Sequence, residues 1–403
     1  MTQPEFNPFN PEFRAHPYPF YESLRTLDPV HTTAFGMVVL TRYDDVSTTL
    51  KSADFSRDID KYSTQATTEA RQRRREMQRT RTKSILNLDP PDHTRLRRIV
   101  SKSFTPSAME KLRGRIEQLV NTALDSAQDR GSIELIDDLA FPVPFQVISD
   151  LLNMPTERAD EMRQWSQIIT NSLEPTASDD ELAQSDEALA QLVPYLTSII
   201  EERRKNLGDD MLSSLITAEE AGDKMTTDEL MAFLVLLYIA GHETTVNLIG
   251  NSTLALLRNP DQANLVHQRG LNSQSIDELL RYDGPVQHTV RVPLQTVRYE
   301  VNGNTIEIEP GTVVMTSLGA ANHDPSIFDS PHDLRLDRPN AHRHMAFASG
   351  IHYCLGSALA KLETEVAVGT LFQRFPNMNI VGTPSWRDRL TIRGVNQLQL
   401  SLS

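Results

Sequence analysis

The sequence predicts a single mainly α-helical domain with small β-sheets, of the α+β class, over residues 1–403. From about Pro90 to Arg258, apolar residues recur three and four positions apart, which is the spacing of amphipathic helices. In the stretch 297–314, alternating apolar residues surround Asn302–Gly303, a pattern typical of a β-hairpin. No segment of biased composition separates these regions, so we expect one domain without a linker.

Composition excludes several classes of protein. The 40 Lys and Arg residues against 54 Asp and Glu give a net charge of −14, which argues against binding to nucleic acid. Cys354 is the single cysteine, so neither an intrachain disulfide nor a cysteine-rich zinc site is expected. The N-terminus lacks the pattern of a signal peptide, and the apolar run Met231–Ala240 is shorter than a membrane span. We therefore expect a cytoplasmic protein without a membrane anchor.

The stretch 71–83 is rich in arginine and contains a single acidic residue, Glu76. A solvated surface is the simplest interpretation of such a stretch. Contact with a partner protein or with an anionic group of a substrate is also open, and the sequence does not decide between them.

The prolines of Asp89–Pro91 predict the start of a helix. At 100° per residue, His93 and Arg97 share one face of this helix with apolar residues. Three other cations lie on the opposite face: Arg95, Arg98 and Lys102. His93 and Arg97 are either ordinary surface charges or donors to the carboxylates of a bound cofactor.

A capping box of Thr226 and Glu229 predicts the start of a long helix that continues to Arg258. Gly241 interrupts its middle, and threonine hydroxyls there can bond to the preceding turn and bend the helix. One face carries an acid and an alcohol among apolar residues: Phe233, Leu236, Ala240, Glu243 and Thr244. A kinked core helix with Glu243 in a salt bridge is the alternative to a catalytic pair. Val246 replaces the second histidine that a zinc-protease motif would need.

The turn around Cys354 is the most informative segment. Gly350 permits a tight turn before the cysteine, and Gly356 permits a close approach after it. Helix-forming residues follow from Leu355, so the cysteine is placed at a helix N-terminus, which favours a thiolate. A thiolate there is either a nucleophile or a metal ligand, and haem iron is a metal that one protein thiolate satisfies. The sequence lacks the Cys-x-x-Cys-His motif of covalent haem attachment.

The segment from Phe347 to Gly356 resembles the haem-binding signature of bacterial cytochrome P450 enzymes, with the family's spacing around Cys354. Ala348 replaces a glycine of that signature, and we expect its φ to be negative so that the turn accepts a Cβ atom. The resemblance implies the P450 fold, with haem b held non-covalently between the long central helix and the cysteine loop.

The resemblance also assigns roles to individual residues. Cys354 would ligate the iron, while Glu243 and Thr244, in an Ala-Gly-x-Glu-Thr motif, would deliver protons during activation of O2. The haem propionates would be bound by His93, Arg97, Arg291 and His352. Glu278 and Arg281, which alone could be a weak helical ion pair, would join Arg338 to brace the cysteine loop.

The implied function is a monooxygenase that acts on an apolar small molecule such as a steroid, fatty acid, terpenoid or macrolide. No flavin or dinucleotide motif is present, so electrons would come from a ferredoxin and its reductase, docked on Arg95, Arg98 and Lys102 of a monomer. The expected substrate pocket is formed by Phe233, Leu236, Ala240, Val286, Gln287, Thr289, Val290 and Val395. Two alternatives remain open: a peroxide-driven haem-thiolate enzyme, and a non-catalytic haem-binding protein.

Overall fold

The structure is a computed structural model, and it describes residues 5–34, 36–61, 76, 82–155, 157–174, 176–220 and 225–402. The predicted contact of the arginine-rich stretch 71–83 with a substrate or partner falls mainly outside these residues. Lys83, which is described, forms ion pairs with Asp58 and Asp60 at 2.6 and 2.5 Å.

Helices make up most of the described chain. In chain order they are α1 (Pro11–Ala15), α2 (Pro17–Leu27), α3 (Tyr43–Lys51), α4 (Asp92–Val100), α5 (Pro106–Glu110), α6 (Arg113–Arg130), α7 (Pro142–Leu151), α8 (Ala159–Asn171), α9 (Asp179–Lys205), α10 (Met211–Glu220), α11 (Thr227–Leu257), α12 (Pro260–Arg269), α13 (Ser273–Asp283), α14 (Leu318–Asn322) and α15 (Ser357–Arg374). The mainly helical class predicted from the sequence is confirmed.

The strands are short and lie mostly before Ser56 and after Asp283. They are β1 (Val30–Thr32), β2 (Val38–Leu40), β3 (Phe55–Ser56), β4 (Ser132–Glu134), β5 (His288–Pro293), β6 (Val297–Val301), β7 (Asn304–Ile308), β8 (Val314–Ser317), β9 (Asn379–Ile380), β10 (Ser385–Trp386), β11 (Val395–Gln397) and β12 (Gln399–Ser401). The larger sheet has the order β1-β2-β8-β5-β3, the next has the order β4-β12-β9, and β6-β7 and β10-β11 form pairs.

The predicted hairpin is β6–β7, in which Val301 pairs with Asn304. Asn302 and Gly303 have φ values of 52° and 80°, as the two central residues of a type I′ turn require. The Asn-Gly dipeptide therefore sets the register of this hairpin.

Helix α11 begins at the predicted capping box, in which Thr226 and Glu229 bond reciprocally. A Cβ atom at Gly241 would lie 2.9 Å from Cδ1 of Ile148, so the small residue lets α7 pack closely against α11. The main hydrophobic cluster joins α11 to α7, α8 and α15. This packing holds α11 against α15, the helix that follows the cysteine.

Helix α11 is also long and apolar enough to cross a bilayer, with an 18-residue window of mean hydropathy 1.4. The sequence analysis counted only its shorter continuous apolar run. However, 67% of that window is buried inside the protein, as in the core helix of a globular fold.

Candidate functional site

Cys354 lies in an irregular loop between a 3-10 turn at Gly350–His352 and the start of α15 at Ser357. Its backbone N–H donates to the carbonyl of Phe347 at 3.0 Å, which closes the loop. Gly350 has a φ of 73°, and a Cβ atom there would collide with the carbonyl oxygen of Leu50. The positive φ and this steric collision therefore explain why glycine is needed at position 350. At Gly356 no described atom lies within 4 Å of a Cβ position.

The expected negative φ at Ala348 is wrong. Its φ is 57°, in the left-handed region that glycine adopts most easily. The N–H of Ala348 donates to the carbonyl of Met345 at 2.8 Å, so a tight turn forces this conformation. The alanine keeps the turn of the signature and carries backbone strain.

The environment of the sulfur differs from the simple helix N-terminus expected. Burial raises the pKa of the Cys354 thiol, and the N–H of Gly356 and the charge of Arg97 only partly offset this effect. The protein alone therefore stabilises the thiolate weakly. A bound metal cation would supply the missing positive charge, as it does for coordinating thiols in general.

The residues predicted to hold carboxylates come together beside this loop. The rings of His93 and His352 lie 4.3 Å apart, and Arg97 donates to the carbonyl of Tyr353 at 2.7 Å. Burial, then the charges of Arg291 and His93, lower the pKa of His352 to about 3. His93 and Arg291 are themselves buried. The four residues thus share one electrostatic environment.

Arg57 joins this cluster and was missed by the sequence analysis. Its guanidinium donates to the Thr289 hydroxyl at 2.8 Å and contributes to the lowered pKa of His352. It follows the two-residue strand β3 and belongs to no motif. The pairing of β3 with β5, at Ser56 and Val292, is the feature that places it, and that pairing is not visible in the sequence.

Among the described residues, one carboxylate belongs to this cluster. Asp89 is the carboxylate that acts on His352, and it is already held by Lys61 at 2.7 Å, by the hydroxyl of Ser56 and by the backbone N–H of Arg57. This donor set fits a cofactor that carries two carboxylates, and haem b is such a cofactor.

The side chains on the predicted face of α11 differ in their exposure. Ala240 is exposed and Leu236 and Thr244 are partly exposed, whereas Phe233 is buried. The Thr244 hydroxyl donates to the carbonyl of Ala240 at 2.9 Å, the back-bond that the sequence suggested. An apolar strip with one hydroxyl therefore remains open to a ligand.

Glu243 is 1% exposed and forms ion pairs with Arg387 and Arg389. Arg389 also bonds to Asn171 at the end of α8. Glu174 in the following loop accepts the backbone N–H groups of residues 390–392 at 2.9 to 3.2 Å. The acid is thus tied to the C-terminal loop and to the α8–α9 connection. The salt bridge that the sequence offered as the alternative to a catalytic pair is present, although its arginine partners were not predicted.

The other predicted pocket residues separate into two groups. Val286, Thr289 and Val290 are partly exposed along or just before β5. Gln287 instead points inward, where its amide donates to the carbonyl of Gly284 at 2.8 Å. Val395 is fully buried and faces the long helix, because a Cβ atom at Gly250 would lie 2.9 Å from it. The structure does not bring these last two side chains to the open strip.

Glu278, Arg281 and Arg338 meet in the interior. Arg281 and Arg338 both bind the Glu278 carboxylate, with shortest distances of 2.7 and 2.9 Å. Arg281 also donates to the carbonyls of Asn322 and Pro331. The three charged groups therefore hold the segment between the larger sheet and the cysteine loop against α13.

The three cations of the predicted docking face are not equivalent. Arg95 binds Glu229 of α11 at 2.5 Å and Asp92 at 3.0 Å, so it links two helices. Arg98 and Lys102 are exposed. Of the three cations expected to dock a partner, Arg98 and Lys102 are therefore the two that are exposed.

A cysteine in the loop before α15, beside converging arginine and histidine side chains that can bind carboxylates, is the arrangement of a haem-thiolate protein. The sequence profile of the family "Cytochrome P450" matches residues 20–269 and 265–379, and the chain belongs to this family. Its members are haem-dependent monooxygenases, and this chain is a cytochrome P450 monooxygenase that uses haem.

The chain is similar to named relatives along nearly its whole length. It is 40% identical to cytochrome P450 107B1 of Saccharopolyspora erythraea, covering 89% of this chain and 88% of the relative. It is 37% identical to the vitamin D(3) 25-hydroxylase of Pseudonocardia autotrophica, covering 98% and 96%. The structure of epothilone D-bound cytochrome P450epoK matches with a TM-score of 0.89 and 31% identity, covering 99% of both chains.

Proposed function

We propose that this enzyme hydroxylates an apolar small molecule in the cytoplasm, acting as a monomeric single domain with electrons from a ferredoxin and its reductase. The observation that supports this most is the open strip of α11, where Leu236 and Ala240 offer apolar surface beside the Thr244 hydroxyl. Two relatives fit such a ligand, since one is named for vitamin D(3) and one was solved with epothilone D.

Cys354 would ligate the haem iron, and His93, Arg97, Arg291, His352 and Arg57 would bind the propionates. When bound there, haem supplies activation of O2 and transfer of one oxygen atom to a C–H bond. Thr244 and Glu243 would hold and pass protons. The Thr244 hydroxyl now donates to Ala240, and the Glu243 carboxylate is held by arginines, so both must change partners to do so.

The reaction is tested by supplying NADH, a surrogate ferredoxin and its reductase, with hydrogen peroxide alone as the second arm. Candidate apolar ligands are first chosen by the low-spin to high-spin shift that they cause. Oxygenated product that depends on ferredoxin supports the proposal. Product in the peroxide arm alone favours the peroxide-driven alternative, and absence of product in both arms favours a binding protein.

The ferredoxin surface is tested by reversing the charge of Lys102. Lys102→Glu should slow reduction by ferredoxin several-fold at low salt, because steering between unlike charges is lost. The control is Arg269→Glu on α12, an exposed cation outside the proposed surface. Equal reduction rates in the two variants would contradict docking at this face. The substrate-induced spin shift should be unchanged in both.

A further inference from the structure

A second cavity, of about 370 Å³, lies where the end of α11 meets α2, α13 and β10. Its floor is formed by Leu254 and Ala255, and its walls carry the aromatic side chains of Tyr18, Tyr282 and Trp386. Cavities of this size, with mainly apolar walls and a few polar groups, are typical binding sites for small molecules.

The cavity is separate from the haem and substrate site. Leu254 follows Thr244 by ten residues, which is about 15 Å along a helix axis. None of the residues assigned above to haem, proton transfer or substrate lines it. A ligand in this cavity therefore has no access to the reacting centre.

Two of the aromatic walls are packed against neighbouring side chains. Tyr18 stacks on His323 with ring centroids 4.0 Å apart, and the guanidinium of Arg393 lies 3.5 Å from the ring centre of Trp386. Flat walls of this kind favour a flat ligand, because planar rings stack with little loss of conformational freedom.

The charged side chains that line the cavity differ in whether they have a partner of opposite charge. Asp283 is neutralised by Arg393, and both Arg393 and the Tyr18 hydroxyl bind its Oδ1 atom, at 2.8 and 2.5 Å. His332 lies 3.5 Å from Glu22. Arg258, the exposed C-cap of α11, is paired with no carboxylate of the described residues. A ligand anion is the group that would complete this set.

We infer that this cavity binds a planar aromatic carboxylate, with the rings between Tyr18, Tyr282 and Trp386 and the carboxylate on Arg258. The inference goes beyond the proposed monooxygenase reaction and does not depend on its substrate. A planar neutral ligand would gain the aromatic contacts but not the ion pair.

The test uses 2-naphthoate as the probe and 2-naphthol as its neutral analogue, titrated into the haem-loaded enzyme by isothermal calorimetry. Arg258→Gln should weaken 2-naphthoate several-fold, the effect of losing one exposed ion pair, and leave 2-naphthol unchanged. Ala255→Leu, which fills the floor, should weaken both probes. The haem Soret band should not move, because the cavity is remote from the iron.

The control is Arg269→Gln, an exposed arginine outside the cavity, which should bind both probes as the unaltered enzyme does. Three outcomes would overturn the inference: no measurable binding of 2-naphthoate, equal affinity in the Arg258 and Arg269 variants, or binding that always shifts the Soret band. Because Arg258 is at the surface, its substitution should not disturb folding. The comparison of the Arg258 and Arg269 variants therefore tests the inference even if the Ala255 variant folds poorly.

Discussion

Ala348 shows how a single residue of the cysteine loop stores strain. An L-residue in the left-handed region costs about 1–2 kcal/mol, and glycine costs about 0.5–1 kcal/mol through its freedom in the unfolded chain. Ala348→Gly should therefore raise the free energy of unfolding by up to about 1 kcal/mol, measured by denaturant titration. Ala346→Gly, in the same loop without a positive φ, is the control and should be destabilising. Destabilisation by both changes would contradict the strain.

Glu363 is a buried acid that the proposed reaction does not use. It lies on α15 facing α11, and burial raises its pKa well above the usual value, which Thr245 only partly offsets. The folded state therefore binds a proton that the unfolded state loses above about pH 4.3. Stability should fall as the pH rises from there towards the folded pKa, because the unfolded state is then the more ionised.

Glu363→Gln removes this titration. Its free energy of unfolding, relative to the unaltered enzyme, should increase between pH 5 and pH 8, measured by urea titration at each pH. Glu365→Gln is the control, since Glu365 is partly exposed and pairs with Arg113 at 3.1 Å. A stability difference for Glu363→Gln that stays constant with pH would contradict a buried protonated acid.

At the residue scale, the sequence predicted which side chains meet at the site only where those side chains belong to motifs. His93, Arg97 and His352 have fixed distances from a helix start or from Cys354, so their convergence could be expected. Arg57 and Arg387 could not be found in this way. Arg57 depends on the pairing of two strands far apart in sequence, and Arg387 reaches a residue on α11 through a loop without a motif.

At the scale of elements, the network around Glu278 joins α13 to the segment before the cysteine loop. Arg338→Met should lower the free energy of unfolding by about 3–5 kcal/mol, because removing one partner leaves a buried carboxylate undercompensated. Arg335→Met is the matched neighbour, whose side chain is 37% exposed, and it should cost less than about 1 kcal/mol. Chemical denaturation measures both, and similar losses would contradict the network's role.

Helix starts were the elements that the sequence predicted most closely. The capping box at Thr226 is present as expected, since it depends on contacts within one turn. The start of α15 was placed at Leu355 but lies at Ser357, because the backbone of the loop extends past the sulfur. Gln287 and Val395 were expected in the substrate pocket by their position along the chain, and tertiary packing turned both towards the interior.

At the scale of the whole molecule, cofactor binding and stability should be coupled through the cationic cluster. Haem should raise the thermal midpoint, since it binds the folded state alone. In Arg291→Leu this gain should shrink, because one donor to the carboxylates of the cofactor is lost. Differential scanning calorimetry of both forms measures this.

The control for that comparison is Arg298→Leu on β6, an exposed arginine paired with Glu307. It should change the haem-bound and haem-free midpoints equally. A loss of stability in haem-free Arg291→Leu that equals the loss in the haem-bound form would show that Arg291 acts through packing and not through the cofactor.

The β6–β7 hairpin pairs with no other strand of the described chain, and its tip at Asn302–Gly303 is exposed. Exposed turns with few tertiary contacts accept foreign sequence well. An affinity tag or a fluorophore-bearing cysteine inserted there should leave folding and cofactor uptake intact. This turn is therefore a suitable attachment site for immobilising the enzyme on a surface or an electrode.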